Sequence, residues 1–487
     1  MNRKGFDNEK YVSMQSQRIR DRISQFGGKL FDDFHASRVL PGFEPDSKVK
    51  MLLEMKDDAE IVIVISADDI ERNKRRGDLG ITYDEDTLRL IDAFRGIGLY
   101  VGSVVITHYN NQPAAGLFQK RLEALGIKTY RHFIIPEYPS NVELIVSEDG
   151  FGRNEYIETE RSLVVVTAPG PGSGKMATCL SQLYHEHERG ISAGYAKFET
   201  FPIWNIPLKH PINLAYEAAT ADLDDVNMID PFHLEAYGET TVNYNRDVEI
   251  FPVLNEILTR IYGESTYKSP TDMGVNMVGN CIFDDDACRD ASKQEIIRRY
   301  YAAACSLRQG FGSEEEVRKI ELIMKSLGIS AEDRPVISAA LSRAEETGAP
   351  AVSIELPDGE IVTGKTSSLL GASSACLMNA LKKLAGIDKK HLLIAPGVIE
   401  PIQHLKIEHL GNHNPRLHTD ELLIALSICA VTNPLAEMAI DQLGKLRGCE
   451  AHSSVILSRV DENLFQKIGV NITYEPRYQA KKLFHAK

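Results

Sequence analysis

The chain has one tryptophan, no C-x-x-C pair among its seven cysteines, and no apolar run approaching the roughly 18 residues of a membrane-spanning helix. Without close thiol pairs, the cysteines at 179, 281, 288, 305, 376, 429 and 449 are expected as reduced, mostly buried small hydrophobes. Residues 1–10 are polar and lack the apolar core of a secretion signal, so a cytoplasmic location and no membrane partner are expected. Basic residues are also outnumbered: 55 Lys and Arg against 69 Asp and Glu give a net charge of −14, which argues against nucleic acid as a partner. What is present, 43% hydrophobic and 25% charged residues over 487 positions, is a globular composition too long for a single core.

From residue 60 onward β-branched runs alternate with amphipathic stretches. Strands are expected at 61–65, 103–107, 128–134, 163–167 and 194–198, with helices at 86–96 and 114–125. This rhythm predicts an α/β fold with crossover connections and a mainly parallel N-terminal sheet. Helical spacing dominates 248–262, 287–308 and 314–327. The α/β rhythm returns from 333, with a hairpin at Asp358-Gly359, helices at 336–347, 373–385 and 420–431, a strand near Leu392, and a final strand-helix-strand. Three domains are therefore expected: an α/β phosphate-binding-like domain over 1–235, a helical domain over 236–330 that also carries subunit contacts in a homo-oligomer, and an α/β domain over 331–487.

The most specific chemical signal is Leu163-Val164-Val165-Val166-Thr167-Ala168-Pro169-Gly170-Pro171-Gly172-Ser173-Gly174-Lys175. A strand-forming run opens into a glycine-rich turn ending in Gly-Lys, ahead of a helix. Glycines let the backbone approach an anion, the first N–H groups of the helix face it, and Lys175 adds a point charge. The turn is P-loop-like but incomplete, because Pro169 stands where the motif needs glycine and Met176 where it needs a hydroxyl. Thr178 lies nearby as a substitute. Gly170, Gly172, Ser173, Gly174, Lys175 and Thr178 are the candidate holders of ATP or another phosphorylated ligand, and a strand-to-helix turn that binds nothing is the competing reading.

Asp222, Asp224, Asp225 and Asp230 could supply the oxygen ligands magnesium prefers beside substrate phosphates, or could cap turns and helices. Arg72, Arg75 and Arg76 follow the first long strand and suit an acidic substrate; a solvated face is the alternative. Lys175, Arg76 and Lys197 are the candidate catalytic residues, with Glu199, Lys209 and His210 as weaker companions. His404, His409, His413 and His418 lack the spacing of a zinc helix, so no zinc is expected. These parts suit a ligase, kinase or phosphotransferase acting on a small metabolite. The alternative is a non-catalytic oligomeric sensor of a phosphorylated metabolite.

Residues 356–364, followed by a helix containing Cys376, resemble a cytidine-deaminase-type core. Met378 stands where those enzymes place glutamate and no P-C-x-x-C follows, so that resemblance implies fold only. At the level of whole motifs the chain resembles the bacterial family catalogued as domain of unknown function 1846, of the UPF0371 type. The resemblance rests on His35-Ala36-Ser37-Arg38-Val39-Leu40-Pro41-Gly42, Arg76-Gly77-Asp78-Leu79-Gly80-Ile81, the glycine-rich stretch above, and the motifs at 194–202, 227–234 and 269–276. It implies a cytosolic protein with an α/β N-terminal region, a helical insert and a deaminase-like C-terminal fold, and names no reaction. It also implies a first strand that is shortened or absent at the N-terminal sheet edge, because Gln25-Phe26 runs directly into Gly27-Gly28-Lys29 where relatives carry an extra apolar segment.

Overall fold

The computed structural model describes residues 3–22, 25–27, 34–76, 81–265 and 267–479. Internal contacts divide the chain into two compact units, Lys4–Ser292 and Lys293–Lys487, with the first three residues grouped with the latter.

In the first unit the strands are β1 (Gln25–Gly27), β2 (Ala59–Ser66), β3 (Tyr100–Tyr109), β4 (Lys128–Phe133), β5 (Leu163–Thr167), β6 (Tyr195–Phe198), β7 (Asn227–Ile229), β8 (Val242–Tyr244) and β9 (Gly274–Val275). Seven of them form one sheet in the order β4-β3-β2-β5-β1-β6-β9, and every pairing in it is parallel. β7 and β8 form a separate antiparallel pair. Every residue of β2 and β5 is buried, the condition that lets a parallel strand read as an unbroken apolar run. β1, three residues long, is present and lies inside the sheet, between β5 and β6, not at its edge; Gly28 and Lys29 lie outside the described residues.

Helix Tyr83–Gly96 starts where the Thr82 hydroxyl and Glu85 carboxylate cap each other's backbone. Helices Lys175–Glu188 and Asn245–Tyr262 cover the sheet, with Cys179, Leu180, Leu183, Phe251, Leu254, Ile257 and Leu258 in one core with Val62, Val64, Val164 and Val166. The expected middle segment, 236–330, contributes to both units. The apolar face of Asn245–Tyr262 is spent on the first unit's sheet, while Glu314–Leu327 belongs to the second unit, so 236–330 is divided between the two.

β2 and β5 are neighbours, yet β3 and β4 extend from β2 to one side and β5 leads to the other. A parallel sheet that reverses its order in this way opens a crevice at the carboxyl ends of its strands.

The second unit contains β10 (Ala351–Glu355), β11 (Ile361–Lys365), β12 (Glu450–Ser453) and β13 (Asn471–Tyr474) in the order β11-β10-β12-β13. The expected hairpin joins β10 to β11, with Gly359 at φ +85°. Helix Ala372–Leu384 lies so close to β11 that a Cβ on Gly364 would stand 2.1 Å from the Cys376 nitrogen. No strand forms near Leu392; Pro396 and Pro401 cannot donate to a ladder, and the segment leads into helix Pro396–His404 instead.

Arg334 anchors this unit at 1% exposure. Its guanidinium pairs with Glu450 and donates to the carbonyls of Ala451 at 3.0 Å and Asn471 at 2.8 Å. Arg298 approaches the same carboxylate at 2.9 Å. Burial works to raise the Glu450 carboxyl, but the two arginines hold it below the usual range.

Candidate functional site

β5 ends at Thr167 and the chain turns through residues 168–174 into helix Lys175–Glu188, whose N-cap Gly174 has φ +87°. Two further glycine positions have distinct causes. Gly172 has φ +74° in open space, so only its backbone freedom matters. A Cβ on Gly170 would stand 2.2 Å from the Tyr83 hydroxyl oxygen. The turn is tied internally and externally: the Ser173 hydroxyl donates to Gly170 O at 2.9 Å, and the Thr107 hydroxyl, on β3, donates to Ser173 O at 2.7 Å.

Helix bonding begins with Thr178 N to Gly174 O at 2.9 Å. Among the described residues, nothing accepts a hydrogen bond from the main-chain N–H of Gly172, Ser173, Gly174, Lys175 or Met176. The first helical turn carries no acidic residue, while His185 and His187 occupy the last. The end of the helix that attracts anions is therefore left without a protein counter-charge.

The Lys175 ammonium donates to Gly170 O at 3.3 Å, and no carboxylate pairs with it among the described residues. Burial pushes its pKa below the ordinary lysine value. Thr178 is 2% exposed, and its hydroxyl oxygen has no partner among the described residues. A buried hydroxyl in a helix ordinarily bonds back to the carbonyl four residues earlier, so this orphan stands out.

These groups form one side of a cavity of about 530 Å³. Thr107 and His108 enter from the end of β3, and His132 and Phe133 from the end of β4. Ile134, Ile135, Tyr138, Phe151 and Asn154 complete the wall opposite Gly172 to Thr178. None of the lining residues is Asp or Glu. Burial drives the His132 imidazole down to about 3, so it is neutral near pH 7, with Nε2 at 3.2 Å from Glu155 O. Burial also pushes the Tyr138 phenol up to about 12. His108 has φ +49°, with Nδ1 3.3 Å from the Ser66 hydroxyl. A non-glycine residue held in that region is uncommon and clusters at binding sites.

Of the residues singled out from sequence, Gly172, Ser173, Gly174, Lys175 and Thr178 line this cavity, and Gly170 supplies the carbonyl that gathers the turn. The others lie elsewhere. Arg76 pairs with Asp86 at 3.0 Å, Arg72 and Arg75 are exposed, and residues 77–80 lie outside the described set. Lys197 is held between Glu199, at 2.8 Å, and Asp247, while burial raises the Glu199 carboxyl to about 7. Lys209 is exposed; His210 caps Ile212 N and meets Asp285 at 2.9 Å.

The four aspartates do not converge. Asp222 and Asp224 are exposed, the latter at φ +58°. Asp225 accepts from Arg246 at 2.8 Å. Asp230 is wholly buried, capping Phe232 N and His233 N and accepting from the Thr271 hydroxyl at 2.6 Å. Among the described residues no group of three or more His, Cys, Asp or Glu could hold a metal ion. Asp225 therefore pairs with a cation and Asp230 caps a helix.

The histidine group is dispersed as well. The His404 and His409 rings lie 5.5 Å apart at a tilt of 59°, His413 is exposed, and His418 bonds Asp461 at 3.1 Å. The Asp461 hydrogen bond lifts His418 above the ordinary imidazole value against the effect of burial. Burial favours a raised Asp461, but His418 and the Thr419 N–H hold it low. The raised histidine stabilises fully below its unfolded pKa of about 6.5, and that contribution is lost as pH rises through its folded value; the aspartate's is lost as pH falls below about 4. His418→Gln is therefore expected to lower the urea midpoint more at about pH 5.5 than at about pH 8.

Tyr83, Thr107, His108, His132 and Asn154 were not singled out from sequence. The available signal was position, since Thr107, His108 and His132 stand at the carboxyl ends of β3 and β4, where such sheets place ligands.

Sheet order and crevice together define a mixed α/β protein with a mainly parallel N-terminal sheet and helical regions. The family described as domain of unknown function DUF1846, N-terminal, matches residues 4–328, and its C-terminal counterpart matches residues 332–484. UPF0371 proteins of Streptococcus thermophilus and Streptococcus pneumoniae are each 58% identical over 492 aligned residues, covering 99% of this chain and 100% of the relative. A UPF0371 protein of Streptococcus pyogenes is 57% identical over 487, covering 98% and 99%. The chain belongs to the DUF1846 family, and these three relatives carry the UPF0371 name. Among the described residues no helix is long and apolar enough to cross a membrane.

Proposed function

We propose that this protein binds a phosphorylated small molecule or nucleotide, with phosphate at residues 172–176 and the remaining body against Phe133, Ile134, Tyr138 and Phe151. One observation carries the reading: main-chain N–H groups and an ammonium that find no acceptor or carboxylate among the described residues share a single turn, beside a cavity of about 530 Å³. That volume falls within the range of small-molecule sites. The Thr178 hydroxyl is a further polar group available to the ligand.

A lining without carboxylates supports binding that does not depend on a protein-held magnesium ion, and so favours the sensing reading over phosphoryl transfer. In the second unit, the order β11-β10-β12-β13 and helix Ala372–Leu384 support a deaminase-like fold, while Met378, buried at the glutamate position, argues against deaminase chemistry.

A thermal-shift series with inorganic phosphate, nucleotides and sugar phosphates, run in EDTA, tests the binding reading. A ligand selective for the folded state raises the melting temperature by mass action. The expected result is a rise with phosphorylated compounds and none with their dephosphorylated forms; equal response to both overturns it. Incubation with ATP and magnesium should give no steady phosphate release. Release that falls on substitution of Asp222, Asp224, Asp225 or Asp230 would restore the phosphotransferase reading.

A further inference from the structure

Helix Thr419–Ala430, in the second unit, is apolar on two sides. Leu422, Ala425 and Leu426 are fully buried in the core. Ile424 and Ile428 are nevertheless 62% and 63% exposed, and Val431, which caps the helix, is 84% exposed. Spacings of four and three place these residues along one helix face. No charged residue occurs from Leu422 to Ala436, in a chain whose net charge is −14. A solvated helix face is ordinarily polar, and a contiguous apolar surface marks a contact site.

We propose that this face joins two copies of the chain about a two-fold axis, with their Thr419–Ala430 helices antiparallel. Charge selects the occupant. An anionic lipid surface would need lysine or arginine beside the stripe, whereas Lys406, next to the helix start, is buried and spent on Glu421 at 2.6 Å and the Arg416 carbonyl at 2.7 Å. A charged peptide finds no counter-charge from 422 to 436. A second copy presents the same uncharged stripe, so an isologous contact leaves no charge unpaired on either side although each chain is strongly acidic. Antiparallel helices also set their dipoles in opposition. The stripe measures on the order of a few hundred Å², below the roughly 800 Å² per partner of a standard interface. The dimer is therefore reversible and concentration-dependent.

Sedimentation equilibrium of the full chain across a wide concentration range tests the contact. The parent is expected to move from one-chain to two-chain mass as concentration rises. Ile428→Glu and, independently, Val431→Asp should each raise the dimer dissociation constant by more than about tenfold, with the melting temperature of the dilute protein unchanged. Ile428→Leu should dimerise like the parent. A parent that keeps one-chain mass throughout overturns the proposal, as do variants that dimerise as well as the parent.

Discussion

If the turn holds phosphate as proposed, Lys175→Met is expected to weaken that binding by about 10- to 100-fold while leaving the fold intact or slightly more stable. A hydrogen bond to a charged group contributes about 1.5–3 kcal/mol, which sets that range. The stability half follows from the environment of the ammonium. Among the described residues it donates only to Gly170 O, at 3.3 Å, and burial disfavours its charged form. Methionine keeps the apolar stem and removes a charge that no protein carboxylate offsets. A residue kept at the expense of stability is the mark of a binding group. Calorimetry with the best ligand from the thermal-shift series reads the first effect, and thermal unfolding without ligand reads the second. Unchanged affinity would remove Lys175 from the site; a large loss of stability would make it a structural residue.

Arg334→Ala should give the largest loss of stability, at about 3–5 kcal/mol, because removing one partner of a buried pair strands the other. Arg298 still faces Glu450 at 2.9 Å, which places the loss toward the lower end. The carbonyls of Ala451 and Asn471, on β12 and β13, would also lose their donor. The damage is confined to the second unit in urea unfolding followed by hydrogen exchange: amides of β12 and β13 lose protection, while those of β2 and β5 do not. Equal loss in both sheets would contradict a local anchor.

The strand, turn and helix around Lys175 were legible because strand burial, glycine chemistry and helix start are all local events. β2, β3 and β5 were legible for the same reason, through their β-branched runs. The rest of the site was not, because its walls are assembled by sheet order. Residues 107–108 and 132–135 meet the turn at 172–178 only after β3 and β4 stack on β2. The partners of the charged residues were illegible for the opposite reason. Lys197 and Asp225 have the right chemistry for a phosphate site, but their partners Asp247 and Arg246 are 50 and 21 residues away. Asp230 reads equally well as a metal ligand or a cap until Thr271 closes on it. Helical periodicity in 248–262 reports that a face is apolar, not which sheet it covers.

The Thr107 hydroxyl clamps the Ser173 carbonyl across two strands before any guest arrives. If the turn holds the proposed ligand, a cradle preset in this way spends little freedom on capture, so association should run at a rate set by encounter. Cutting that tie with Thr107→Val would slow arrival and leave departure nearly unaltered, a kinetic signature that equilibrium measurements alone would read as simple weakening.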